Sequence, residues 1–192
     1  MNRLIAATTN PGKVREIQAA LRSLSDWSIE PISPDLPDIE ETGATFLENA
    51  ILKAVHYSEL TDGITLADDS GLSVHALIGR PGVHSARYGS THQTRNQRLL
   101  RELDETGTSD RSAQFFCALA LAQSGKVLWT VETHLDGQIA RQPEGIEGFG
   151  YDPVFLVPSL GKTMAEMSTT EKNHVSARGL ALAELQRFLA SR

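Results

Sequence analysis

The stretch LIAATTNPGKVREI, residues 4–17, limits the fold more than any other. Leu4 to Ala7 form an apolar run too short for a helix and suited to a buried strand. Asn10 can then accept the first N–H groups of a helix, and Pro11 fits its first position, where a missing N–H leaves nothing unpaired. Behind that cap Val14, Ile17, Leu21 and Leu24 recur on one helical face. A buried strand that feeds straight into a helix needs other strands beside it and helices over it, which points to an α/β fold.

The remaining pattern agrees. WSIEPI, residues 27–32, reads as a second strand, and SPDLPDIEETG, residues 33–43, as a loop rich in proline and acid. Thr45 and Glu48 form a T-x-x-E capping box ahead of Phe46, Leu47, Ala50, Ile51, Ala54 and Val55, the clearest helix in the chain. GITLA, residues 63–67, is a short strand running into DDSGL, followed by SVHAL and the turn-forming GRPG. Residues 94–104 form a polar helix with Leu99, Leu100 and Leu103 facing inward. AQFFCALALAQ and KVLWTVETHL flank Ser124-Gly125, a hairpin signal. EGIEGFGYDP, residues 144–153, is a glycine-rich loop before the strand VFLV. A last helix runs from about His174 to Leu189 with Val175, Leu182, Leu185 and Leu189 as its inner stripe. No repeat, low-complexity tract or linker divides the chain, so residues 1–192 are expected to form one α/β domain with a mixed sheet.

Charge and cysteine usage narrow the function. A net charge of -6 argues against general nucleic-acid binding, which uses a basic face, but leaves an anionic small molecule open. Cys117 is the only cysteine, which suits a reducing compartment. MNRLIAATTN lacks the basic start and long apolar core of a signal peptide, and no run approaches the roughly 18 apolar residues of a membrane span. A cytoplasmic protein without a membrane partner is expected.

Three places could carry chemistry. The helix N-terminus at Asn10 presents free N–H groups and the positive end of a dipole, with donors on Thr8, Thr9 and Asn10 and a full charge on Lys13. Val14 follows Lys13, so the Walker pattern is absent, and taken alone the stretch fits a capped helix with a solvated lysine slightly better. Asp68-Asp69 drop two charges between apolar neighbours, and Glu40-Glu41 sit in a loop. Adjacent carboxylates repel without a cation, and Mg²⁺ takes a few carboxylate oxygens plus phosphates and water. A solvated loop competes strongly for Glu40-Glu41 and weakly for Asp68-Asp69. No His/Cys cluster has zinc-like spacing, and Ser70 has no identifiable histidine partner. GFGYDP suits either a stacked base or a tight loop whose Phe149 and Tyr151 plug the core. Lys172 and Arg178, taken alone, read as solvated surface.

In order, TTNPGK (8–13), EETGATFLENAILKA (40–54), ADDSGL (67–72), GRPGVHSARY (79–88), GFGYDP (148–153) and EKNHVSARGLAL (171–182) run nearly from end to end of the chain. Together they closely resemble the inosine triphosphate pyrophosphatase family, which hydrolyses aberrant purine nucleoside triphosphates. The resemblance implies an elongated mixed sheet with flanking helices, two lobes around a central substrate cleft, and a homodimer. It implies Mg²⁺-dependent cleavage between the α- and β-phosphates, turning inosine, deoxyinosine or xanthosine triphosphate into the monophosphate and pyrophosphate.

Carried over by position, Thr8, Thr9, Asn10, Pro11, Gly12 and Lys13 would hold the triphosphate, with Lys53 reaching the same phosphates. Glu40 and Asp69 would hold the metal with Glu41 and Asp68 in support, and Asp69 would accept the proton of the attacking water. Ser70 would touch substrate, and Phe149, Gly150, Tyr151, Asp152, Lys172 and Arg178 would surround the base. Three positions depart: Thr9 stands where many relatives have glycine, His84 where tyrosine is common, and Ala177 where histidine usually precedes Arg178. The last leaves space and one polar contact fewer at the base. Two rival readings stay open. One is a nucleotide pyrophosphatase of different base specificity, which Ala177 supports. The other is a nucleotide-binding protein without turnover, which the intact Lys13, Glu40, Asp68 and Asp69 oppose.

Overall fold

A computed structural model describes residues 2–191. Strand β1 (Asn2–Ala6) leads to helix α1 (Pro11–Leu21), whose cap is Asn10: its Oδ1 accepts the N–H of Gly12 at 2.8 Å and of Lys13 at 3.3 Å. After β2 (Trp27–Pro31), helix α2 (Phe46–Leu60) starts at Thr45, whose hydroxyl accepts the Glu48 N–H at 3.1 Å. The Glu48 carboxylate reaches back to the N–H of Ala44 at 2.7 Å, one residue beyond the usual partner in such a box. Strand β3 (Ile64–Val74) follows, then α3 (His92–Glu105), β4 (Ser112–Gln123) and β5 (Lys126–Ile139). The β4–β5 turn is Ser124-Gly125 with φ of 48° and 74°, the paired left-handed geometry that matches strand twist in a two-residue hairpin. Short strands β6 (Phe155–Val157) and β7 (Lys162–Thr163) and helices α4 (Thr169–Val175) and α5 (Ala177–Ala190) complete the chain.

The sheet has seven strands in the order β2-β1-β3-β4-β5-β6-β7. β1 pairs parallel with β2 and β3, whereas β5–β6 and β6–β7 are antiparallel, so the expected mixed α/β sheet is present. Two elements differ from expectation. GITLA and DDSGL belong to one 11-residue strand, so Asp68 and Asp69 lie inside β3 and not past its end. The expected single C-terminal helix is two: Ser168 and Glu171 form a capping box that starts α4 early, and Ser176, extended at φ −68° and ψ 151°, separates it from α5.

Two compact units share the chain. The first comprises the described residues through Asp69, Cys117–Thr133 and those from Arg178 onward. Its core includes Leu4, Ile17, Leu66, Leu119, Leu121, Leu182 and Leu185, all nearly or fully buried. The second comprises Ser70–Phe116 and His134–Ala177, with Leu72, Leu99, Leu103, Ile139, Val154 and Phe155 at its centre. There Phe115 meets Phe155 edge to face at 5.6 Å, a favoured aromatic geometry. Among the described residues no helix is long and apolar enough to cross a membrane.

Candidate active site

In the first unit the end of β1, the start of α1, the 38–41 loop, α2 and β3 line a recess of about 200 Å³. Thr8, Thr9, Lys13, Glu41, Lys53 and Asp68 all face it. Asp68 is buried and takes Lys13 Nζ at 2.9 Å and Arg178 Nη2 at 3.1 Å. Burial alone would raise its pKa, but Lys13, Arg178 and Lys53 outweigh it and hold the carboxyl well below the usual range. Arg178 also binds Glu16 at 2.7 Å, so α1 and α5 grip Asp68 through one guanidinium. The planar fork of arginine suits this double contact, which a lysine could not reproduce.

Asp69 has weaker compensation. Lys53 Nζ lies 3.3 Å from its Oδ1 and 2.7 Å from Glu41 Oε1, so one ammonium serves two carboxylates. Asn49 donates to Asp69 Oδ2 at 3.2 Å and accepts from the Gly43 N–H at 2.7 Å. A Cβ on Gly43 would sit 2.6 Å from Asn49 Oδ1, so the loop carrying Glu41 can approach α2 only with glycine there. Burial pushes the Asp69 carboxyl up and Glu41 adds to this, against Lys53, Lys13 and the Asn49 bond. Three side-chain cations, Lys13, Lys53 and Arg178, thus stand among four carboxylates, Glu16, Glu41, Asp68 and Asp69.

The geometry revises how a phosphate would be met. The first-turn N–H groups of Gly12 and Lys13 are taken by Asn10 Oδ1, Pro11 has none, and the Asn10 N–H goes to Thr8 Oγ1 at 3.2 Å. Gly12 and Lys13 therefore offer no free N–H groups, and it is the side chains of Thr8, Thr9, Lys13 and Lys53 that face the recess. Of the acidic pair in the loop, Glu41 lines the recess and binds Lys53, while Glu40 is exposed.

The second unit gathers the glycine-rich loop. Asp152, 2% exposed, accepts the Phe149 N–H at 2.7 Å and pairs with buried Lys172 at 2.7 Å. A Cβ on Gly148, at φ +76°, would come within 2.1 Å of that carboxylate, so only glycine lets the loop fold over it. Lys172 Nζ also lies 4.5 Å from the Phe149 ring centroid, a cation–π contact. Tyr151 is buried, and its hydroxyl donates to the Ser85 carbonyl at 2.9 Å. Burial pushes the phenol well above its ordinary range. The two aromatics therefore divide the work: Tyr151 plugs the core, and half-buried Phe149 stays under Lys172. Ser85, from GRPGVHSARY, also accepts the Leu72 N–H at 2.9 Å, so that motif supports both the start of this unit and the loop. Ser70, half-buried in β3, opens the unit.

Several structural partners lay outside the sequence reading. Asn49 occupies an inward position of α2 where Phe46, Ala50, Ala54 and Tyr57 make a helical stripe, so a polar residue on that stripe was a usable signal. Glu16 carried none, because its partner lies 162 residues away. His92 and Asn96, which hold Gly150, were equally silent.

Fold and site define an α/β protein that sets lysines and carboxylates together around one polar recess. The chain belongs to the Ham1 family, matching its sequence profile over residues 4–188. It is 49% identical to the dITP/XTP pyrophosphatase of Geobacillus kaustophilus over 96% of this chain and 93% of that protein. The structure of a HAM1 protein from Coxiella burnetii covers 100% of both chains with a TM-score of 0.90 and 43% identity. A nucleoside-triphosphatase, or dITP/XTP pyrophosphatase, from Mycobacterium abscessus matches with a TM-score of 0.74 and 38% identity, over 95% of this chain and 97% of its own. The resemblance drawn from six ordered motifs and the family match agree.

Proposed function

We propose that this chain hydrolyses inosine, deoxyinosine and xanthosine triphosphates between the α- and β-phosphates, giving the monophosphate and pyrophosphate. One observation carries the reading: Lys53 is shared between Glu41 and Asp69 in the recess that Lys13 also lines. The near full-length identity to a dITP/XTP pyrophosphatase supports the substrate class.

The donor set fits Mg²⁺. It offers hard carboxylate oxygens, and negative groups outnumber positive ones in the cluster. Among the described residues no three His, Cys, Asp or Glu groups stand close enough to hold a metal by themselves, which suits an ion completed by phosphates and water. Glu41 and Asp69 would hold it, with Glu40 beside them on the loop and Asp68 behind. When bound, such an ion lowers the pKa of water and offsets phosphate charge.

The chain's own groups do the rest. Lys13 and Lys53 bind the phosphates and stabilise charge that grows on the departing pyrophosphate. A phosphate that draws Lys53 away uncovers Asp69 Oδ1, which accepts a proton from the attacking water. Arg178 and Glu16 keep Asp68 and thereby Lys13 in place. In the second unit Phe149 offers a face to a purine, and Lys172 donates but cannot accept. A 6-oxo group suits that donor, and the amino group of adenine does not. The enzyme is proposed to act as a cytoplasmic homodimer on free nucleotides, each chain one catalytic domain, without nucleic-acid or membrane partners.

Pyrophosphate release with Mg²⁺ across purine and pyrimidine triphosphates tests the proposal. Inosine, deoxyinosine and xanthosine triphosphates should exceed the four common ones by at least about tenfold in kcat/KM. Ala177, buried at the start of α5, favours a second reading with relaxed selectivity, which near-equal rates across bases would support. Release from none of them overturns the proposal.

A further inference from the structure

The glycine-rich loop is also held by a helix that no motif singled out. At the first turn of α3, His92 Nδ1 accepts the Gly150 N–H at 3.1 Å, and one turn later Asn96 Nδ2 donates to the Gly150 carbonyl at 3.2 Å. Residues four apart share a helix face, so both polar groups of one loop residue are taken by one side of α3. Gly150 sits at φ +67°, and a Cβ there would meet nothing within 4 Å. Crowding does not hold its left-handed conformation; the turn closed by the Asp152 N–H on the Phe149 carbonyl at 3.3 Å and the pair on α3 do. The Asn96 amide has one workable orientation, because turning it would set oxygen against carbonyl oxygen.

α3 makes a firm anchor. Thr91 and Thr94 cap it, Leu99 and Leu103 are fully buried, and Glu102 ties it to the Tyr88 hydroxyl and to Arg80. The neighbours of Gly150 are fixed separately, Phe149 by Asp152 and Tyr151 by Ser85. The contacts from α3 add to these by taking both backbone polar groups of Gly150 itself.

We propose that His92 and Asn96 are positioning residues that set base selectivity: they fix the Gly150 peptide and with it the Phe149 ring beneath Lys172. This rests on the function proposed above, in which that ring and ammonium read the base. A reading site works within about 0.5 Å, and a glycine freed from its two bonds exceeds that easily.

The test compares His92→Phe, which keeps a ring but removes the acceptor, His92→Gln, which restores one, and Asn96→Leu. In His92→Phe, kcat/KM for inosine triphosphate should fall about three- to tenfold, mainly through KM, and its ratio over adenosine triphosphate should fall by a similar factor. His92→Gln should recover at least half of the lost ratio. Wild-type KM and ratio in His92→Phe overturn the proposal. So does a loss confined to thermal stability, the mark of a merely structural role. Asn96 is buried, so its variant counts only if folded, and the exposed His92 carries the test without it. Amide exchange at Gly150 and Tyr151 separates the two ideas. It should quicken in His92→Phe even if the wild type releases no pyrophosphate, and unchanged exchange refutes the clamp whatever the activity.

Discussion

Replacing Lys53 with methionine keeps most of the buried stem and removes the ammonium that Glu41 and Asp69 share. Its distances of 2.7 and 3.3 Å bound how far apart the two carboxylate oxygens can be. At about 6 Å or less, two like charges repel by about 3 kcal/mol or more at an effective dielectric of about 20. Breaking a buried pair by deleting one partner costs about 3–5 kcal/mol, in line with that figure. In a protein of this size each kcal/mol moves Tm by about 2–4 °C, so Lys53→Met should melt about 6–20 °C lower in calorimetry at neutral pH without metal. The deficit should narrow in acid. The Asp69 carboxyl is raised in the folded state, so its contribution to stability is present below the ordinary carboxylate range and lost as pH rises through the raised value. Mg²⁺ should restore more stability to Lys53→Met than it adds to the wild type, because the ion no longer competes with the ammonium. A Tm loss under about 2 °C, or an Mg²⁺ increment no larger than in the wild type, would refute the shared-ammonium account.

Asp69→Asn should reduce turnover by about two to four orders of magnitude in a pyrophosphate assay, while metal-free Tm holds or rises because an under-compensated buried carboxylate is gone. Retention of most of the wild-type kcat refutes the assignment. Ala177→His should raise the inosine-to-adenosine triphosphate ratio of kcat/KM by roughly tenfold and lower Tm, since Ala177 is 1% exposed and a larger side chain strains its surroundings. An unchanged ratio would show that Phe149, Lys172 and Asp152 already define the pocket. Burial pushes the Cys117 thiol up to about 12, so the native protein should resist thiol reagents at pH 8 and react only on unfolding, as followed by label uptake.

What the sequence made legible was local. Asn10-Pro11, Thr45 with Glu48, and Ser124-Gly125 act on backbone groups a few residues away, and each sits in its expected turn or cap. Ser168 with Glu171 carries the same kind of signal and starts α4, but the inner stripe from Val175 onward hides the break at Ser176. β3 is longer than its apolar run because Lys13, Lys53 and Arg178, with Asn49, compensate Asp68 and Asp69 inside the strand. Those partners come from α1, α2 and α5, which no local pattern links to β3. The same distance hid Glu16, paired with Arg178, and the hold of α3 on Gly150. The resemblance put Glu40 on the metal with Glu41 in support, whereas Glu41 is the one that binds Lys53, on a loop that the Gly43–Asn49 contact ties to α2.

Phosphorus NMR of inosine triphosphate turnover with Mg²⁺ tests the proposed cleavage most directly, because it reports which anhydride bond breaks. Inosine monophosphate and pyrophosphate should appear together from the first time point, in equal amounts and without a diphosphate intermediate. Inosine diphosphate with orthophosphate as the first products would contradict attack at the α–β bond and the roles given to Lys13, Lys53 and Asp69.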